Sequence, residues 1–116
     1  MIRRNDDRKI DLRESVRGGV GRTIQENVLC GEGELNGKGR LYAHMKLEPG
    51  CSIGFHEHIG DTEAYYILKG NAEYDDNGVT TTLQKGDVTF TDDGEGHAIK
   101  NVGDSTLEFM ALILYK

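Results

Sequence analysis

The chain has 116 residues and a formal net charge of −6 at pH 7, with acidic and basic residues mixed along its length. This length suits one compact domain with a modest core. Without a basic stripe we expect no nucleic-acid partner, and without an apolar run of roughly 18 residues we expect no membrane span.

The composition favours a cytoplasmic protein built from short strands. Glycine occurs 16 times and proline once, and no repeat explains the excess of glycine, so many tight turns are expected. Cys30 and Cys51 are too few for a disulfide framework, and the N-terminus lacks the apolar segment of a secretory signal. We therefore expect two reduced thiols, since a bridge between them has no positive support.

The first half of the chain predicts a polar arm followed by strands. We describe residues 1–116 as a single domain in which residues 1–22 form a polar N-terminal arm. Residues 23–30 predict a strand, and residues 31–40 predict a glycine-rich loop. Residues 41–48 alternate in polarity, which is typical of a half-buried strand. The apolar face of that strand comprises Leu41, Ala43, Met45 and Leu47.

The second half continues this pattern. Residues 63–69 are rich in strand-forming side chains, and residues 71–84 predict a hairpin that turns at Asn77-Gly78. The final run is apolar on both faces from Phe109 to Leu114, which implies a second sheet or a partner subunit. A helix over residues 105–115 is the competing interpretation there. Six to ten short strands indicate an all-β sandwich or barrel.

Four polar residues are spaced so that they can converge. His56 and His58 share one side of a strand because side chains alternate with a period of two. A turn can bring Glu63 to the same point, and a glycine-rich turn can bring His97 alongside. Burial of these groups without partners would cost several kcal/mol, and a divalent cation would remove that cost. Spacing alone does not exclude the alternative, in which each histidine is a separate surface or hydrogen-bonded residue.

These residues belong to two motifs of a known family. Residues 50–70 match the first cupin motif, G-x5-H-x-H-x4-E-x6-G, at Gly50, His56, His58, Glu63 and Gly70. Residues 86–101 match the second motif, G-x5-P-x-G-x2-H-x3-N, at Gly86, Gly94, His97 and Asn101. Asp92 stands where the family usually has proline, which puts the rigidity of that loop in question. The chain resembles the short microbial cupins over residues 38–116.

The resemblance implies the cupin double-stranded β-helix, a jelly-roll β-barrel that usually forms a homodimer. It also implies one divalent metal ion held by His56, His58, Glu63 and His97. Three imidazole nitrogens and one carboxylate suit manganese, iron, zinc, nickel or copper, and the carboxylate favours manganese or iron. No other cofactor is expected.

Other polar residues fall near the expected site. Tyr65 shares the strand face of Glu63 and is a candidate to orient a metal-bound ligand, although a packed core aromatic is the alternative. Asp61, Asp92 and Asp93 fall on predicted turns, and turn chemistry alone accounts for them.

The sequence is compatible with two functions. The first is a metalloenzyme that acts on a small oxygen-rich molecule, either an organic acid or a sugar, as a decarboxylase, dioxygenase or isomerase. The alternative is a non-catalytic cupin that binds or senses a small molecule. The sequence leans towards the enzyme without assigning a reaction class, because this fold supports many chemistries.

Overall fold

The computed structural model of the chain describes residues 1–116 and contains ten strands. The strands are β1 (Ile10–Glu14), β2 (Arg22–Leu29), β3 (Gly39–Leu47), β4 (Ser52–Glu57), β5 (Asp61–Lys69), β6 (Ala72–Asp76), β7 (Val79–Leu83), β8 (Val88–Thr91), β9 (Gly96–Asn101) and β10 (Leu107–Tyr115). Helical structure is limited to two 3₁₀ turns, Asn5–Asp7 and Val16–Gly18, and a four-residue helix α1 (Gly31–Glu34).

The strands form two antiparallel sheets. The larger sheet has the order β1-β2-β3-β10-β5-β8, and the smaller has the order β4-β9-β6-β7. Strands β4 and β5 are consecutive in the chain but lie in different sheets, so the segment between them crosses from one layer to the other. The all-β prediction is confirmed, and the two-sheet arrangement is that of a jelly roll.

The core lies between the sheets and follows the strand periodicity. In β10 the residues Leu107, Phe109, Ala111 and Ile113 are buried, while those between them are only half-buried. The strand pairs with β3 on one side and β5 on the other, so the helical interpretation of residues 105–115 is wrong. The predicted inner face of β3 is confirmed, since Ala43, Met45 and Leu47 are buried and Leu41 is half-buried against the core.

Local structure departs from the predictions in two segments of the N-terminal third of the chain. Residues 31–40 were expected as a loop, but they contain α1, because the Glu34 carboxylate accepts the backbone N–H of Cys30 and pairs with Arg3 at 2.9 Å. Within the polar arm, β1 pairs along its whole length with β2. The hairpin turn is where it was predicted: Asn77 and Gly78 have φ values of 51° and 93°, both in the left-handed region.

Asn101, the last residue of the second motif, joins the end of β3 to the loop between β9 and β10. Its amide group donates to Leu47 O and Ser105 O at 2.8 Å, and its carbonyl accepts the N–H of Gly103 at 2.9 Å. It is almost completely buried. Its side chain therefore satisfies backbone groups that no other side chain reaches.

Asn101→Ala is expected to lower the free energy of unfolding by about 2–4 kcal/mol, because it leaves buried backbone groups without partners. Denaturant unfolding followed by circular dichroism measures this change. Asn5→Ala, at an exposed position, serves as the control. A loss as small as that of the control would contradict the structural role of Asn101.

Candidate metal centre

The predicted cluster is assembled from both sheets. His56 lies on β4 directly opposite His97 on β9, within the smaller sheet. His58 follows the end of β4, and Glu63 comes from β5 of the larger sheet. The structure thus brings together all four residues singled out by the sequence, with the carboxylate contributed from across the sandwich.

The ligating atoms are close to one another and mostly buried. Glu63 Oε1 lies 3.1 Å from His58 Nε2, 3.0 Å from His97 Nε2 and 4.0 Å from His56 Nε2. The Nε2 atom of His97 is 3.2 Å from that of each other histidine. One ligating atom from each of the four residues lies within 4.8 Å of the others. This is the spacing of donors around a single ion.

The other ring nitrogen of each histidine has a partner that orients the ring. His56 Nδ1–H donates to Gly54 O at 2.8 Å, and His58 Nδ1–H donates to Asp61 Oδ1 at 2.7 Å. His97 Nδ1 lies 2.6 Å from the Tyr74 hydroxyl and 2.9 Å from Thr91 Oγ1. Carbonyl and carboxylate oxygens only accept, so the neutral rings of His56 and His58 turn Nε2 lone pairs towards the centre.

Such an arrangement requires positive charge at its centre. In the absence of a metal, a proton on an imidazole has to bridge to Glu63. This hydrogen bond is the main cause of the raised pKa of His58. Burial by itself would raise the pKa of Glu63, but hydrogen bonds from His58 and His97 hold it at about 2. Burial lowers the pKa of His56. The donor set therefore fits a divalent transition metal ion, which would replace those protons.

Asp61 supports the cluster, contrary to its sequence assignment. It was attributed to turn chemistry, but it is the first residue of β5 and is buried. Its Oδ2 accepts from Arg40 Nε at 3.1 Å, while its Oδ1 holds the His58 ring. A carboxylate behind a ligating histidine is a common outer partner in metal sites, and its position three residues after His58 was the available signal.

Tyr74 and Thr91 were missed by the sequence analysis because they lie on separate strands. They reach His97 only through strand pairing, since β6 lies beside β9, and Thr91 lies opposite Glu63 in the pairing of β8 with β5. Neither Tyr74 nor Thr91 belongs to a sequence motif that indicates a place in the site.

Asp92 and Asp93 do lie on a turn, as expected. The N–H of Asp92 donates to Glu95 Oε1 at 2.8 Å, a bond that proline could not make. The carboxylate of Asp92 also accepts from Lys116 Nζ at 2.8 Å. These hydrogen bonds restrain the loop in which the family usually has proline.

Tyr65 lies beside the cluster. Its ring stacks on that of His97 with 4.9 Å between centroids and packs against Phe109. Burial raises its pKa well above the usual value, so the hydroxyl remains protonated at neutral pH. The residue is therefore both a packed core aromatic and a hydrogen-bond donor beside the candidate site.

The cluster opens into a cavity of about 170 Å³. His56, His58 and Glu63 line this cavity, while His97 lies buried behind them. Tyr65 also lines it. The remaining polar lining residues are Arg13, Arg17, Thr23, Gln25 and Arg40. A ligand that reaches the cluster therefore passes polar and cationic groups.

Comparison with known proteins gives the family. Residues 43–113 match the cupin domain family. The chain is a cupin. It is 42% identical over 114 residues to an oxalate-binding protein of Thermotoga maritima, in an alignment covering 98% of this chain and 93% of that protein.

Solved structures agree with this assignment. The crystal structure of a predicted oxalate decarboxylase from Thermotoga maritima superimposes with a TM-score of 0.94 at 40% identity and covers 100% of both chains. The cupin domain of Schizosaccharomyces pombe Cnp3 gives a TM-score of 0.72 at 15% identity, covering 93% of this cupin and 70% of that chain, which shows a shared fold alone. None of this cupin's helices is long and apolar enough to cross a membrane.

Asp61→Asn is expected to weaken metal binding by about 10- to 100-fold, because the neutral amide no longer holds the His58 ring as a charged acceptor. Competition of the purified protein with a chromophoric chelator for Mn²⁺ measures the change. Asp104→Asn removes the same charge at an exposed position and should leave affinity unchanged. Equal affinities in the two variants would rule out the supporting role of Asp61.

Proposed function

We propose that this cupin is a metal-dependent binding protein for a small dicarboxylate such as oxalate. The observation that carries the proposal is a cluster of three imidazoles and one carboxylate that opens into a small cavity with cationic walls. The proposed metal ligands are His56, His58, Glu63 and His97. We also propose that residues 1–116 form one cupin domain.

We propose manganese(II) or iron(II) as the bound metal. The donor set contains a hard carboxylate oxygen beside three imidazole nitrogens, and no thiolate, which would favour zinc or copper(I). When bound, the ion supplies a Lewis acid that attracts carboxylate oxygens. The chain's own residues hold the imidazole rings in place and shield the cluster from bulk water.

The oxalate class rests on the similarity to Thermotoga maritima cupins and on the lining of the cavity. The names of the Thermotoga maritima proteins refer to oxalate, at 42% and 40% identity to this chain over nearly its whole length. A cavity of about 170 Å³ is suited to a small ligand. Its arginines provide the charge complementarity that a carboxylate requires.

Binding without turnover is the favoured form of this proposal. Decarboxylation needs a group that delivers a proton to the carbon left behind. The only carboxylate that lines the cavity is Glu63, which belongs to the cluster and has a pKa of about 2. Tyr65 favours decarboxylation as the second candidate, because its hydroxyl is a protonated group beside the cluster. No specific contact favours a dioxygenase or an isomerase.

Titration of the manganese-loaded protein with oxalate, followed by calorimetry, tests the function. We expect binding in the wild type and in His44→Ala, whose ring pairs with Glu108 at 2.8 Å away from the cavity. His58→Ala should lose both manganese and oxalate. Oxalate binding that is equal with and without metal would refute the metal-dependent function. Release of formate and CO₂, lost in Tyr65→Phe, would favour the decarboxylase instead.

We also propose a homodimer formed through the outer face of the larger sheet. Tyr66, Val88 and Phe90 are half or more exposed there, and β8 is the edge strand of that sheet. Tyr66 pairs with Val88 across β5 and β8, and Met110 continues the apolar surface on β10. A second copy of the chain would cover this patch and the open edge.

Phe90→Glu is expected to dissociate the dimer, because it buries a charge in the proposed interface. Sedimentation velocity measures the mass of the particle. Val79→Glu places the same charge at a similarly exposed apolar position in the smaller sheet and should leave the mass unchanged. A wild type that sediments as a monomer, or a Phe90→Glu variant with the wild-type mass, would contradict this interface.

A cytoplasmic location and the absence of a nucleic-acid partner complete the proposal. Both cysteines are free thiols in the structure, which is compatible with a reducing compartment. The net charge of −6 opposes binding to a polyanion.

A further inference from the structure

Several side chains that line the cavity have no part in the cluster. Arg40 is paired with Asp61, but Arg13 and Arg17 have no carboxylate within 4.0 Å. Thr23 also lines the cavity. Arg13, Arg17 and Thr23 belong to β1, β2 and the turn between them, outside both sequence motifs. The cavity therefore contains a second group of polar residues that the metal cluster does not use.

Thr23 has an unused hydroxyl. Its side chain is 1% exposed, and its Oγ1 makes no hydrogen bond with any protein group. A buried hydroxyl without a partner is destabilising, and such groups are rare in native proteins. Thr23 lies opposite Arg13 in the pairing of β1 with β2, so both side chains emerge on the same face of the sheet. Thr23 is a lining residue of the cavity, so a ligand there could be the hydrogen-bond partner that this hydroxyl lacks within the protein.

Arg13 and Arg17 retain free donors. Arg13 Nη1 donates to Gln25 Oε1 at 3.3 Å, and this contact leaves the other N–H groups of the guanidinium available. Arg17 makes no ion pair and lines the same cavity. Two unpaired guanidinium groups at a cavity of a protein with net charge −6 form a local positive site, which attracts an anion.

The backbone holds Arg17 in an unusual conformation. Its φ of 54° lies in the left-handed region, which is unfavourable for a side chain of this size. The Val16–Gly18 turn packs backbone to backbone on β4, since a Cβ on Gly54 would lie 2.1 Å from Arg17 O. Gly54 O also accepts the His56 Nδ1–H. Gly54 thus lies against the backbone of Arg17 and also accepts the hydrogen bond that orients one ring of the cluster.

We propose that Thr23, Arg13 and Arg17 form an anion subsite that makes the cavity selective for dicarboxylate dianions over monoanions of the same size. When one carboxylate of a dicarboxylate binds at the cluster, the second carboxylate keeps its negative charge and its free oxygen acceptors. The Thr23 hydroxyl and the two guanidinium groups are the unused donors that can satisfy them. This inference rests on the proposed dicarboxylate-binding function and names the residues that determine its specificity.

Paired titrations of the manganese-loaded protein with oxalate and oxamate test this subsite. Oxamate has the shape of oxalate but one charge less, because an amide replaces one carboxylate. The wild type should prefer oxalate. Thr23→Val, Arg13→Gln and Arg17→Asn should each bind oxalate about tenfold more weakly, the loss of one hydrogen bond to a charged group. For the two arginine variants the preference over oxamate should shrink.

Two controls separate binding from folding. Arg22→Gln removes an arginine that does not line the cavity and should keep the wild-type affinity and preference. Thr23→Val removes an unpartnered hydroxyl at nearly constant volume, so its melting temperature should equal or exceed that of the wild type. Asparagine tolerates the left-handed region better than most residues, so Arg17→Asn should remain folded.

These titrations distinguish failure of the subsite from failure of the proposed function. If the wild type binds oxalate and the three variants keep its affinity and its preference over oxamate, the subsite is overturned while the proposed function stands. If the wild type takes up manganese but binds no oxalate, both the subsite and the proposed function are overturned. Weaker oxalate binding with an unchanged melting temperature supports the subsite.

Discussion

The structure depends on the convergence of three imidazole Nε2 atoms and one carboxylate oxygen at a buried point. His56 and His58 donate through Nδ1 to oxygens that can only accept, so their neutral rings turn lone pairs towards one another and towards Glu63. These groups repel unless positive charge lies among them. The low pKa of Glu63 and the raised pKa of His58 express the same requirement.

This convergence depends on the packing of the two sheets. Three of the four residues come from the smaller sheet or its end, and Glu63 comes from the larger one. Their separation is set by the core between the layers, with Tyr65 packed against both His97 and Phe109. A change in the layer spacing would therefore move the carboxylate away from the imidazoles, so the core residues have a role in the geometry of the site.

The cavity in front of the cluster has a charge opposite to that of the whole protein. Its wall includes Arg13 and Arg17 from the N-terminal part of the chain, and the Val16–Gly18 turn is held against β4 by the close approach at Gly54. The segment described as a polar arm therefore completes the cavity beyond both cupin motifs. The motif residues form the cluster, and the arginines of the N-terminal segment place positive charge on the path of a ligand to it.

Much of the fold and the cluster itself could be read from the sequence. The alternation of side chains along a strand places His56 and His58 on the same side. Asn77-Gly78 adopts the left-handed conformations that its hairpin turn requires. These features are local, because they depend on neighbouring residues in one strand or turn. The motif spacing added Glu63 and His97. The short helix α1 escaped prediction because its carboxylate contacts arise only once the chain is folded.

The partners of the cluster were decided by tertiary structure. Tyr74 and Thr91 meet His97 only because β6 pairs with β9 and β8 pairs with β5. Thr23 lines the cavity because β2 of the larger sheet lies near β4 of the smaller sheet. Strand periodicity gives the face on which a side chain lies, but it carries no information on which strands become neighbours. That choice follows from burial of the whole core. The sequence by itself therefore determined a cluster of candidate metal ligands, and the packing of the sheets decided its surroundings.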